Sequence, residues 1–237
     1  MPHLFVDRPR HHDLATRTAR PRDELRWETI NTAVYLVGGV LFVWGSVLFF
    51  PRLEARSDRG AWIFFVGSLL YLVVAGHDTA EVVRNRRREA EPSIWDRFET
   101  WAAASYLLGS SLFAVGSILF LSVVGRYDAG AGCFIVGSLL FVVGATVNVL
   151  QILQASDRRT LQLMNLTALT FVAGSVLFTV ASIPYLFHLS PADERTIDAF
   201  LAAQYVVGSV LFLLGGIINY RRAVVVGRRA IEADAAS

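Results

Sequence analysis

One short pattern, glycine-serine-any-leucine-aromatic, recurs along the whole chain and limits what it can fold into. It reads Gly45-Ser46-Val47-Leu48-Phe49 and returns at Gly67 to Tyr71, Gly109 to Phe113, Gly116 to Phe120, Gly137 to Phe141, Gly174 to Phe178 and Gly208 to Phe212, with Gly38 to Phe42 as a near copy. Every copy lies in an apolar stretch. The stretches run over about 30 to 50, 61 to 82, 101 to 124, 130 to 154, 163 to 187 and 198 to 220, each near the ~20 residues that cross a bilayer core as a helix. With 54% hydrophobic residues and a mean hydropathy of +0.48, the 237-residue chain is too apolar for an ordinary soluble domain. The fold class expected is all-α and membrane-embedded: six transmembrane helices arranged as three homologous helical hairpins.

The charges fall between the spans, and none sits at the centre of one. All 22 basic residues are Arg, so orientation follows from counting Arg on each side. The N-terminal tail, the second and fourth loops and the C-terminal tail hold 17 of them, whereas Arg52, Arg56, Arg59, Arg126 and Arg195 make up the other side. Both termini are therefore expected in the cytoplasm. The organisation expected is a disordered, Arg-rich tail over 1–29, hairpin 1 over 30–82, a linker over 83–97, hairpin 2 over 98–154, hairpin 3 over 163–220 and a tail over 221–237.

Shifting the chain by 71 residues lays Arg26-Trp27-Glu28-Thr29 on Arg97-Phe98-Glu99-Thr100, and Tyr35, Gly38, Phe42 and Gly45 on Tyr106, Gly109, Phe113 and Gly116. The second helices superpose through Gly67 and Asp78, then Gly137, Gly144 and Asn148, then Gly208, Gly215 and Asn219. A small residue every seven positions, with an aromatic four later, makes one narrow seam on a helix. In lipid, helices associate through close approach at small residues, so Gly38, Gly45, Gly67, Gly109, Gly116, Gly137, Gly144, Gly174, Gly208 and Gly215 are expected at helix contacts.

The order aromatic-Glu-Thr, then Tyr-x-x-Gly-x-x-x-Phe-x-x-Gly, a short loop and Phe-x-x-Gly-Ser-x-x-aromatic resembles the bacterial YrhK-like membrane domain. The resemblance covers all three hairpins, best over 26–78 and 97–148. It is weaker in the third, where Met164 stands at the Glu position and Ala181 at the second small residue. It implies a helical fold in a bacterial inner membrane and brings no activity with it.

Following the seam to the cytoplasmic end gives Glu28 and Glu99 on first helices, Asp78, Asn148 and Asn219 on second helices, and Asn31 one turn deeper. Two readings stay open: a vestibule whose oxygens bind a cation or a hydrogen-bonding solute, or the commoner case of interfacial groups paired with Arg26, Arg97, Arg84 or Arg221. His3, His11 and His12 make a weak metal signal, and no phosphate loop, nucleophile elbow or Cys/His set is present. No enzyme activity, cofactor, metal or nucleic acid is expected. The partners expected are the lipid bilayer and either further copies of the chain or other membrane proteins. A structural or interaction role through seams left exposed by incomplete pairing is the first expectation. An uncoupled channel or transporter for a small neutral or cationic solute is the second, and an Arg-rich tail sensing anionic lipid is the third.

Overall fold

The structure is a computed structural model describing residues 5, 9–14, 20–88, 93–151, 155, 157–187 and 191–236. Among these residues all regular structure is helical. The helices are α1 (Pro21–Leu48), α2 (Ser57–Arg88), α3 (Ile94–Leu119), α4 (Tyr127–Gln151), α5 (Arg158–Ser182) and α6 (Pro191–Ala236), with short 3₁₀ turns at Pro51–Arg56 and Ile183–Leu186. All six are long and apolar enough to cross a membrane.

Local chemistry sets where the helices start. Pro21 opens α1 with Asp23 and Glu24 in its first turn, where a fixed φ and negative charge suit the exposed amides. At α3 the Ser93 hydroxyl accepts from the Asp96 amide at 3.3 Å while the Asp96 carboxylate accepts from the Ser93 amide at 2.6 Å, a reciprocal capping box. Asp157 caps α5 by accepting from the amides of Arg159 and Thr160 at 2.9 and 3.1 Å. Its carboxylate also receives Arg229 from the far part of α6, and Arg229 and Thr160 hold it well below the usual carboxylate range. Ser93→Ala is expected to lower stability by about 0.5–2 kcal/mol, read as a shift in thermal unfolding of the purified protein.

Each helix packs against its neighbours in sequence, and α6 returns to α1, so the six close into a ring. The closing contact is direct. Tyr35 of α1 donates its hydroxyl to the Phe212 carbonyl of α6 at 2.8 Å, and the hydroxyls of Ser46 and Ser209 meet at 3.1 Å. On the opposite end from the chain's start, Ser122 donates its amide to Asp58 at 2.8 Å, tying the third loop to the start of α2. That loop turns at Gly125, whose φ of 62° a side chain would disfavour.

The interior is aromatic. Each helix sends in two buried rings: Tyr35 and Phe42, Phe64 and Tyr71, Tyr106 and Phe113, Phe134 and Phe141, Phe171 and Phe178, Tyr205 and Phe212. They reach across the ring as well as around it. Phe113 lies 5.4 Å from Phe178, Phe42 lies 6.1 Å from Phe113, and Phe64 lies 6.2 Å from Phe178, each pair joining helices that are not neighbours. Offset and edge-on contacts of this kind add about 0.5–1.5 kcal/mol per pair beyond burial.

The expected boundaries change at the polar ends. The tail expected to be disordered over 1–29 instead supplies the first turns of α1 from Pro21, and its Phe5 and Arg10 are buried. The linker expected over 83–97 is shorter, because α2 runs on to Arg88 and α3 begins at Ile94. The tail expected over 221–237 is helical to Ala236, and hairpin 3 begins at Arg158 rather than 163. Arginine is a good helix former, no proline falls within 83–88 or 221–236, and positive charge is favourable near the C-terminal end of α2. Hydropathy marks where a helix leaves the lipid, not where it ends. Residues 152–154, at the end of the expected hairpin 2, lie outside the described residues.

Candidate functional site

The seam glycines face partner helices, as their spacing predicts. A Cβ on Gly45 would lie 2.5 Å from the Phe64 ring, on Gly38 2.9 Å from Tyr71, and on Gly67 3.2 Å from the Gly38 carbonyl oxygen. Between α3 and α4 the same construction puts Gly109 2.5 Å from Phe141, Gly116 2.8 Å from Phe134, Gly137 2.8 Å from Phe113 and Gly144 2.9 Å from Tyr106. Between α5 and α6, Gly174 meets the Gly208 carbonyl at 3.0 Å, Gly208 meets Phe178 at 2.8 Å and Gly215 meets Phe171 at 2.8 Å. The pairing is reciprocal because the helices are antiparallel and carry the same stripe. The serines after the glycines are buried, and Ser46, Ser68, Ser110, Ser117 and Ser175 each donate to the carbonyl four residues back at 2.7–2.8 Å. These seams are used up inside the ring, so the expectation of seams left exposed for partners does not hold. What faces outward is a Val, Leu and Trp surface that includes Val37, Trp44, Val73, Leu108 and Leu169.

Two carboxylates of the expected cluster, Glu28 and Asp78, share one cation, and it comes from an unexpected place. Glu28 is 0% exposed and Asp78 2% exposed, and both are met by Arg10, itself 2% exposed. Arg10 donates through Nε to Asp78 Oδ1 at 2.5 Å and through Nη2 to Asp78 Oδ2 at 3.1 Å. Its Nη1 donates to Glu28 Oε1, and its backbone amide to Glu28 Oε2 at 3.2 Å. The sequence reading expected Arg26, Arg97, Arg84 or Arg221 in this role. Arg26 and Arg84 are nearer to these carboxylates in sequence, yet the planar fork of Arg10 satisfies two carboxylates on two helices at once. Burial would lower the Arg10 pKa, and the charges of Asp78 and Glu28 overcome this and raise it. An arginine held this way is not available to anionic lipid, which removes one anchor from the lipid-sensing reading.

Around this clamp the tail makes further contacts. The His11 amide donates to Glu81 Oε2 at 3.3 Å and its ring Nδ1 pairs with Glu24 at 2.5 Å. The Phe5 carbonyl accepts from Arg222 Nη1 at 2.8 Å, and Arg222 Nε donates to Asn219 Oδ1 at 3.3 Å. Trp27 donates its indole N–H to His77 Nε2 at 3.0 Å. Asn31, Asn219, Thr32 and Tyr35 share with Arg10 a cavity of about 10 Å³, room for about one water molecule. Asn31 donates to the Trp27 carbonyl at 3.1 Å. Asn148 is buried and donates to the Tyr106 hydroxyl at 3.2 Å, apart from the clamp. Glu99 is half-buried on α3 and is not among the partners of Arg10. Of the expected ring of Asp78, Asn148 and Asn219, the structure joins Asp78 and Asn219 to the Arg10 neighbourhood and leaves Asn148 to α3.

Sequence reasoning missed Arg10, Glu81, Gln151 and Arg222. Three of them carried a usable signal. The seams continue at alternating steps of four and three, so Tyr71, Val74 and Asp78 lead to Glu81, Gly144 and Asn148 to Gln151, and Gly215 and Asn219 to Arg222. All three are at most 1% exposed. Among the described residues no group of three or more His, Cys, Asp or Glu is placed to hold a metal ion, and residue 3 of the expected histidine set lies outside them.

Six apolar helices closed on an aromatic interior define a polytopic helical membrane protein. Within that class the sequence model of the YrhK-like protein family matches the chain twice in tandem, over residues 25–83 and 96–153. The first match contains most of α1 and α2 with Glu28, Asp78 and Glu81, and the second contains most of α3 and all of α4. Arg10 lies outside both. No curated protein and no solved structure matches the chain.

Proposed function

We propose that this is a non-conducting protein of a bacterial inner membrane, made of three copies of one helical hairpin, with both termini cytoplasmic and a structural or interaction role. The distribution of Arg supports the orientation. The match of the first two hairpins to one family, and the same glycine-to-aromatic pairing in α5 and α6, support the threefold repeat.

The observation that carries the non-conducting reading is the filled axis. Twelve buried rings occupy the space a solute would cross, and the cavity beneath the polar end admits about one water. A solute-flux assay in liposomes tests it. Wild type and Asp78→Ala should leak small neutral and cationic solutes no faster than protein-free vesicles. A saturable flux in wild type that Asp78→Ala abolishes would establish the transporter reading in its place.

Since the seams are consumed within the ring, contacts with other copies or other proteins fall to the lipid-facing Val, Leu and Trp surface or to the extended cytoplasmic ends of α2 and α6. The helical part of α6 beyond residue 220 alone would reach ~24 Å past the bilayer.

A further inference from the structure

We propose that the third hairpin carries a binding site for the phosphate of an anionic phospholipid, in a cavity between the start of α5 and the part of α6 that leaves the lipid. The inference goes beyond the role proposed above and needs only that the six helices cross a membrane.

Four arginines line this cavity: Arg159 of α5 with Arg221, Arg228 and Arg229 of α6. Its volume is about 570 Å³, within the ~300–1,000 Å³ usual for a ligand pocket. Arg221 and Arg228 are exposed two turns apart on one stripe of α6, whereas Arg222 beside them turns inward to the Phe5 carbonyl. Among the described residues only Arg229 of the four has a carboxylate for its guanidinium, Asp157. Glu232, one turn past Arg228, does not line the cavity. Three positive charges around one hollow repel each other and raise the local concentration of anions.

The ring does not require these charges for its own packing, as the repeat shows. Five residues before Glu28, Glu99 and Met164, which are equivalent in the three hairpins, stand Asp23, Ile94 and Arg159. Two residues after Asp78, Asn148 and Asn219 stand Ala80, Leu150 and Arg221. An acid or an aliphatic side chain serves at the same place elsewhere, so the basic pair is particular to the third hairpin.

Guanidinium groups pair with phosphate through flat, forked hydrogen bonds. Val224 and Val225 give the cavity an apolar wall. Tyr220, which also lines it and whose hydroxyl meets that of Thr29 at 3.1 Å, stands where the apolar stretch of α6 ends, the depth at which amphipathic rings meet headgroups. A free phosphate has no use for an apolar wall, whereas a phospholipid brings its phosphodiester to this depth with acyl chains alongside. Basic pockets between helices at a membrane surface recognise lipid headgroups by this combination.

The test titrates full-length, delipidated protein in detergent with phosphatidylglycerol and with phosphatidylcholine of the same acyl chains, read by native mass spectrometry. Wild type should bind the anionic lipid roughly tenfold more tightly, the scale of one to two arginine contacts at a membrane surface. Arg159→Gln with Arg221→Gln and Arg228→Gln should cut that preference to about twofold or less. Arg86→Gln with Arg87→Gln and Arg97→Gln removes the same charge from exposed positions at the same end of the ring and should keep it. Arg229 stays in place because it holds Asp157 at the start of α5.

A second measurement changes none of the arginines. In Val224→Cys, Cys133→Ser protein in nanodiscs, labelling at position 224 by a neutral maleimide should be slower by about threefold or more in phosphatidylglycerol than in phosphatidylcholine, because a ligand seated in a pocket covers most of its wall. Val83→Cys in the same background, exposed on α2, should label alike in both lipids. A preference that survives the triple variant or is lost equally in its control would overturn the proposal, as would equal protection at positions 224 and 83. Protection at 224 matched by inorganic phosphate in phosphatidylcholine nanodiscs would also overturn it and give the cavity to a soluble anion.

Discussion

Asp78→Ala should lose about 3–5 kcal/mol of stability, the usual cost of removing one partner from a buried ion pair, whereas Asp96→Asn should lose about 1 kcal/mol, a typical capping loss. The difference comes from burial. Asp96 caps α3 at an exposed position, where water replaces what is lost. Asp78 accepts two hydrogen bonds from an arginine that is itself 2% exposed, and its removal leaves Arg10 with one carboxylate and no solvent. The converse combination isolates the cause. Replacing the whole set by neutral groups of similar shape, Arg10→Met with Glu28→Gln and Asp78→Asn, should come within about 1–2 kcal/mol of wild type, because neutralising a buried ionic cluster as a unit is often near neutral. Denaturant titration in mixed micelles measures all three. Equal losses for Asp78→Ala and Asp96→Asn would show that the clamp contributes nothing to holding the fold.

Gly109→Ala should cost about 1–3 kcal/mol by overpacking, while Gly132→Ala should be neutral or slightly stabilising through the better helix propensity of alanine. Both are helical glycines in apolar spans, so composition does not separate them. A methyl on Gly109 would stand 2.5 Å from the Phe141 ring and 2.9 Å from the Gly137 carbonyl. The ring has another aromatic, Phe113, at 5.2 Å, and the carbonyl is backbone, so neither yields without separating α3 from α4. Nothing lies within 4 Å of a methyl on Gly132. Thermal unfolding of the two variants beside wild type reads the contrast, and indistinguishable melting would contradict the seam as the contact surface.

The helices and their rotation were legible because both are written in short-range periodicity. Gly38, Gly45 and Gly67 could be assigned to contacts from spacing alone, since in lipid a small residue on a repeated stripe has few other uses. The closure of the ring was not legible. It depends on Tyr35 finding the Phe212 carbonyl across 177 residues, and one buried tyrosine looks like any other in sequence. The clamp was half legible. Glu28 and Asp78 stood out because they continue the seam with charge, but Arg10 comes from a polar stretch with no repeat, and a cation drawn in by someone else's carboxylates leaves no periodic trace. Glu81 and Arg222 were within reach of the same stripe, one step beyond where hydropathy fell away.

Because the last helix completes the wall by lying against the first, the protein cannot reach its final state in the order in which it is translated. With four helices inserted, Tyr35 on one flank still lacks the Phe212 carbonyl that receives its hydroxyl, and α4 on the other flank still lacks α5. The newly made four-helix arc must therefore keep two raw margins in lipid until the final pair arrives, and a chain that stops after residue 151 would carry those margins permanently.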